Sequence, residues 1–125
     1  MRGPQRGSTV DRETSLVEVL VVADQEPFLA AARFVVGASP GFRVAGEART
    51  GEEAVDLASS LEQTLVLMDI NLPGISGIEA TRRVLSAAPD TAVILMSTYQ
   101  AADLPDDART SGARAYVNKE DLARS

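Results

Sequence analysis

Three observations predict a doubly wound α/β protein, a parallel sheet covered by helices on both faces. Short apolar runs alternate along the chain with stretches whose apolar residues recur at helical spacing. The runs at 65–68 (LVLM) and 92–96 (AVILM) are continuous rather than alternating, as strands buried on both faces require. Each run also stops at a polar side chain: Asp24, Asp69, Ser97 or Lys119. An ionisable group at the mouth of a core costs desolvation energy that Asn, Ser or Gly would avoid. Asp69 is therefore either a turn former or a working group.

The elements follow in order. Residues 1–14 mix Gly, Pro, Arg and polar residues without period and are expected to form a disordered leader, with the folded domain over 15–125. Residues 16–22 make the first strand. Residues 25–36 make a helix that tolerates Pro27 in its first turn and turns Phe28, Ala31, Ala32 and Val35 to a core. Residues 42–48 form a strand near the sheet edge, since Arg43 and Glu47 interrupt it. Thr50 precedes Glu53 by three residues, a capping-box pattern that opens a helix over 50–61. After the strand that ends in Asp69, the pair Ser76 and Glu79 opens a third helix over 76–88. The strand at 92–96 leads into Ser97-Thr98. A helix over 101–111 should be short or mobile, because Pro105 cuts into it and few large apolar residues line it. Residues 113–118 form a fifth strand ending at Lys119, and 120–125 begin a last, incomplete helix.

Composition narrows the function. With 125 residues, 45% of them hydrophobic, the chain supports one domain with a real core. Trp is absent and only three Phe and two Tyr occur, so that core is aliphatic. A net charge of −6 with no Lys/Arg run argues against a basic nucleic-acid-binding surface. Without Cys or His there is no disulfide, thiolate or imidazole chemistry, and any metal must be a hard cation held by oxygen. No apolar run is long enough to span a membrane and no signal peptide is visible, so the expectation is a cytoplasmic protein without a membrane partner. The GEARTG stretch at 46–51 imitates a phosphate loop, but Glu52 and Glu53 stand where Lys and Ser/Thr are required.

In open parallel sheets, sites form outside the carboxyl ends of the strands, where strand order reverses. In the flavodoxin-like order 2-1-3-4-5, Asp24 and Asp69 flank that reversal. Two carboxylates there repel, which a hard divalent cation such as Mg²⁺ would relieve. Were Asp69 a nucleophile, a phosphoryl group on it would find three partners: the cation, the Lys119 ammonium and the Ser97 hydroxyl. The bland alternatives are Asp24 as a helix N-cap, Lys119 as a solvated lysine, Ser97 as a strand-end hydroxyl and Tyr116 as half-buried core. A lysine at a helix start is electrostatically odd, which favours a phosphate role.

The motifs VLVVADQ, LVLMDINLPGISGIEATRR, VILMST and GARAYVNKEDL closely resemble the receiver domains of two-component response regulators over about residues 16–122. The closest resemblance is to the subfamily with helix-turn-helix output domains and its single-domain relatives. The resemblance implies that Asp69 is the aspartate phosphorylated from a sensor histidine kinase. It makes Asp24 and Asp69 ligands of Mg²⁺, with the Asn71 backbone carbonyl a third. It further makes Lys119 the cation that holds the phosphoryl group, and Ser97 and Tyr116 the pair that moves on phosphorylation. It implies a signalling switch and not an enzyme, homodimerisation on phosphorylation as one outcome, and DNA contact only through an output domain outside this chain. One departure stands out: Ala23 occupies the first position of the family's acidic pair. The rival expectation is thus a pseudo-receiver, a binding module recognised without phosphate. A flavin-binding domain on the same fold is disfavoured by the missing Trp and scarce Tyr.

Overall fold

The computed structural model describes residues 16–61, 64–98 and 103–124. Strands and helices alternate: β1 (Val17–Val22), α1 (Glu26–Gly37), β2 (Phe42–Ala48), α2 (Gly51–Ala58), β3 (Thr64–Asp69), α3 (Gly77–Ala87), β4 (Ala92–Ser97), α4 (Asp106–Arg109), β5 (Ala115–Asn118) and α5 (Lys119–Arg124). The five strands pair in parallel in the order β2-β1-β3-β4-β5, the predicted 2-1-3-4-5 order. The expected leader at 1–14 lies outside the described residues.

The sheet separates two aliphatic cores because successive side chains of a strand point to opposite faces. Leu20, Val22, Val66, Met68 and Leu95 face one side, where Ala54, Ala58, Ile78, Val84 and Ala108 from α2, α3 and α4 cover them. Val19, Val21 and Ala23 face the other side, against Leu29, Ala32 and Val36 of α1. β1, β3 and β4 are thus buried on both faces, which explains their continuous apolar runs. β2, as predicted, is an edge strand; Arg43 pairs with Glu18, and Glu47 pairs with Arg33 of α1. Such partly exposed pairs contribute about 0–1 kcal/mol each.

The helix ends correct several expectations. α1 begins at Glu26 with Gln25 as its N-cap residue, making no side-chain cap bond, so Asp24 does not cap it. α2 begins as predicted: Thr50 Oγ1 accepts the Glu53 N–H at 3.0 Å. The Glu53 carboxylate in turn accepts the N–H of Arg49 at 2.8 Å, one residue before the cap. α2 ends at Ala58 rather than residue 61. The Ser59 and Ser60 hydroxyls donate to the carbonyls of Asp56 and Leu57 at 2.8 and 2.9 Å, competing with the helical ladder. At α3, Ser76 accepts the Glu79 N–H at 3.1 Å, but the Glu79 carboxylate turns to Arg83 at 3.0 Å. Only half of that capping box forms. α4 is reduced to Asp106–Arg109, with Pro105 at its N-cap, and the part of the expected helix at 101–102 lies outside the described residues. The proline explains the late start, because it disfavours helical geometry in the residue before it.

Thr50→Ala is expected to cost about 1 kcal/mol of stability, read as a lower urea midpoint at unchanged slope. An unchanged midpoint would show that the Glu53–Arg49 bond caps α2 by itself.

Candidate functional site

The site is built where β3 leaves the core. Because β3 lies between β1 and β4, the side chain of its last residue, Asp69, emerges among neighbouring strand ends, and only 1% of it is exposed. Lys119 opens α5 directly after β5 and is also buried. Its Nζ donates to Asp69 Oδ2 at 2.6 Å. The Asn71 N–H donates to Asp69 Oδ1 at 3.1 Å, so both carboxylate oxygens are engaged from opposite sides.

Burial raises the Asp69 pKa above the usual carboxylate range. The Lys119 ammonium and the Asn71 N–H pull it back, and the negative charge of Asp24 pushes it up again. Burial prevails over these partners, leaving the carboxylate short of positive charge. Asp24 itself is exposed on the β1–α1 connection. Arg49 reaches over it, with Nη1 3.4 Å from the Asp24 carbonyl and Nη2 2.7 Å from Glu26.

Ser97 ends β4 and is buried; it follows Met96, the register partner of Asp69, whose carbonyl accepts the Ile70 N–H at 2.9 Å. Tyr116 pairs with Leu95 and Asn118 pairs with Ser97, so Ser97 and Tyr116 share one face of the sheet. The Tyr116 hydroxyl donates to the Ala108 carbonyl of α4 at 2.9 Å, tying the half-buried ring to that helix.

Asp24, Asp69, Asn71, Ser97 and Lys119 therefore gather at one end of the sheet, while Tyr116 stands two residues back from the end of β5, bonded to α4. Four residues to which the sequence assigns no role in the site also shape it. Gly77 opens α3 so close to β3 that a Cβ there would stand 2.0 Å from the Asp69 carbonyl oxygen. Glu52 of α2 reaches the loop after Asp69, its carboxylate 3.4 Å from the Ile75 N–H and filling the space where a Gly74 side chain would lie. Gly74 has φ +78°, a conformation that favours glycine. Phe28, read only as core, places its ring 4.3 Å from Lys119 Nζ. The glycines of PGISG are a visible signal for Gly74 and Gly77, whereas nothing local marks Phe28.

The Asp24 and Asp69 carboxylates at this end of the sheet are oxygen donors of the kind that suits a hard cation such as Mg²⁺. Among the described residues no group of three or more acidic side chains forms a cage.

The family profile of the response regulator receiver domain matches residues 19–124. Response regulator UvrY of Escherichia coli is 35% identical over 104 residues, covering 83% of this chain and 48% of UvrY. Response regulator GacA of Pseudomonas aeruginosa is 34% identical over 104 residues, covering 83% of this chain and 49% of GacA. The chain thus spans about half the length of these curated relatives. Among solved structures, a LuxR-family two-component response regulator from Aurantimonas sp. superposes with a TM-score of 0.78 at 30% identity, covering 87% of this chain and 79% of that one. Receiver domains bind Mg²⁺ for phosphorylation and interact with histidine kinases; they are signalling modules and not enzymes. No helix among the described residues is long and apolar enough to cross a membrane. From its matched span, its strand order and these relatives, the chain belongs to the response regulator receiver domain family.

Proposed function

We propose that Asp69 accepts a phosphoryl group from the phosphohistidine of a sensor histidine kinase, and that the modified domain switches a partner or an output domain outside this chain. The observation that carries this reading is the buried Asp69–Lys119 pair at 2.6 Å, at the carboxyl end of the sheet. An Asp69 oxygen attacks phosphorus and the P–N bond to the donor imidazole breaks, its electron pair leaving with the imidazole. An acyl phosphate remains. Lys119 loses a full carboxylate as partner and gains phosphoryl oxygens in its place. Ser97, at the adjacent strand end, supplies a hydroxyl to those oxygens. Asp24, Asp69 and the Asn71 carbonyl are the groups that hold Mg²⁺, which when bound offsets the charge of the carboxylates and of the incoming phosphoryl group.

The readout runs through Ser97 and Tyr116. They share a sheet face, and Tyr116 is hydrogen-bonded to α4. A Ser97 shift toward the phosphoryl group alters the space beside Tyr116 and biases its bond to Ala108, a local charge event read out by a bistable element. α4 suits that part, since it is a single turn.

One observation favours a second reading, a pseudo-receiver that partners recognise without phosphate. Ala23 follows Val22, the register partner of Met68, and so stands abreast of Asp69, fully buried and without a carboxylate. Intact mass after incubation with acetyl phosphate, with and without Mg²⁺, separates the two. A Mg²⁺-dependent gain of one phosphoryl group that Asp69→Asn abolishes is the expected result. A folded protein that gains nothing from several donors turns the assignment to the pseudo-receiver.

A further inference from the structure

We propose that Phe28 is a positioning residue for the phosphoryl site, its ring holding the Lys119 ammonium where that cation meets both Asp69 and a phosphoryl group placed on it. The inference rests on the reading of Asp69 as phosphoacceptor. Lys119 Nζ meets Asp69 Oδ2 at 2.6 Å and the Phe28 ring, whose centroid lies 4.3 Å away. That distance is well inside the roughly 6 Å over which the negative face of an aromatic ring attracts a cation. Only 8% of the Lys119 side chain is exposed, so bulk water does not substitute for either partner.

The ring is held by α1 and by the core beneath it, and not by the strand ends that carry Asp69 and Lys119. Phe28 sits in the first turn of α1, its N–H bonded to the Gln25 carbonyl at 3.1 Å, and it packs into the core that α1 makes with β1 and β3. α1 also packs directly on α5, the helix that Lys119 opens. The ammonium is thereby fixed from a side opposite in character to the carboxylate: an uncharged surface that does not titrate and takes no part in the reaction.

That difference matters during phosphoryl transfer. When acetyl phosphate is the donor, an Asp69 oxygen attacks phosphorus, the P–O bond breaks and acetate leaves with the electron pair. Asp69 then changes from an anion to the uncharged carbonyl of an acyl phosphate, and the negative charge moves outward onto the phosphoryl oxygens. The Lys119–Asp69 bond weakens at the step in which Lys119 must turn to those oxygens. The ring keeps its charge distribution throughout, so Lys119 pivots between its two oxygen partners without leaving Phe28. An aliphatic side chain at position 28 would fill the core but take away the ring face that the ammonium meets.

The test separates ring electronics from packing. Phe28→Leu, Phe28→Tyr and a pentafluorinated phenylalanine incorporated at position 28 are compared with the parent. The readouts are the NMR signals of the Lys119 Cε and Nζ groups, the rate of phosphoryl gain from acetyl phosphate with Mg²⁺, and the urea midpoint. The fluorinated ring keeps the shape while reversing the charge distribution of the face. The parent and Phe28→Tyr are expected to show ring-shifted Lys119 signals and equal rates. Phe28→Leu and the fluorinated ring should slow phosphoryl gain roughly three- to tenfold, the range expected for one partly buried cation–ring contact. The urea midpoint of the fluorinated protein should stay near the parent's. Lys119 signals without a ring shift in the parent would overturn the contact itself. Phosphoryl gain at a rate indifferent to both Phe28→Leu and fluorination would sink the positioning role and leave the phosphoacceptor reading intact. A parent with ring-shifted Lys119 that gains no phosphoryl group would sink that reading while upholding the contact.

Discussion

Replacing Gly77 with alanine is expected to remove at least about 3 kcal/mol of stability, a large fraction of what a domain of this size possesses. The cause is distance and not backbone dihedral preference. A Cβ at Gly77 would stand 2.0 Å from the Asp69 carbonyl oxygen, 2.8 Å from its carbon and 2.9 Å from the Ile70 Cα, all backbone atoms with no rotamer to turn away. The approach is held by the Gly77 N–H, which donates to the Ile70 carbonyl at 2.8 Å, while Thr81 Oγ1 donates to the Gly77 carbonyl at 2.7 Å within α3. Relief therefore requires α3 to move away from β3, which would drag Asp69 from Lys119. Gly37→Ala is the matched control, because a Cβ at the exposed last residue of α1 meets nothing within 4 Å. There alanine is expected to be neutral or to stabilise by about 0.5 kcal/mol. Urea denaturation of the two variants checks both; equal midpoints would refute the close approach.

Lys119→Met should cost about 3–5 kcal/mol at neutral pH, because it leaves a buried carboxylate without its cation. The cost should depend on pH, in a direction set by Asp69. Burial already raises the folded-state pKa of this group above the ordinary aspartate value, so the fold favours the protonated form. Its contribution to stability is then fully present below the unfolded pKa and is lost as pH rises through the folded one. Lys119 opposes that rise, so its removal lifts the folded pKa further and carries the loss to higher pH. The gap between variant and parent should accordingly be widest near pH 7 and close toward pH 4. Asp69→Asn added to Lys119→Met should recover most of it, since the buried charge goes with its partner. Urea midpoints measured across that range decide the matter, and a gap constant with pH would mean that Lys119 stabilises by packing its aliphatic stem alone.

Much of the site was legible because its residues occupy strand ends. A buried parallel strand announces itself as an apolar run, and the first polar residue after the run falls on the carboxyl edge of the sheet. Asp69, Ser97 and Lys119 were placed in that way, and α/β alternation then brought them together. The capping signals at Thr50 and Ser76 located helix starts to the residue, because the cap bonds join groups three positions apart. Helix ends were read less well. The 50–61 periodicity ran past Ala58, where serine hydroxyls take the last carbonyls, a competition that apolar spacing does not register.

The sequence by itself thus determined the order and type of the elements, the aliphatic character of both cores, and the identity of the groups at the crevice. These all depend on patterns a few residues long, governed by the periods of helix and strand. Only the tertiary structure decided the bond between Lys119 and Asp69, fifty positions apart, the ring of Phe28 beneath that ammonium, the approach of Gly77 to the Asp69 carbonyl, and the release of Asp24 from any capping role. Those relations depend on how α1, α3 and α5 settle against the sheet, and that is set by the packing of two cores at once, which no local period encodes.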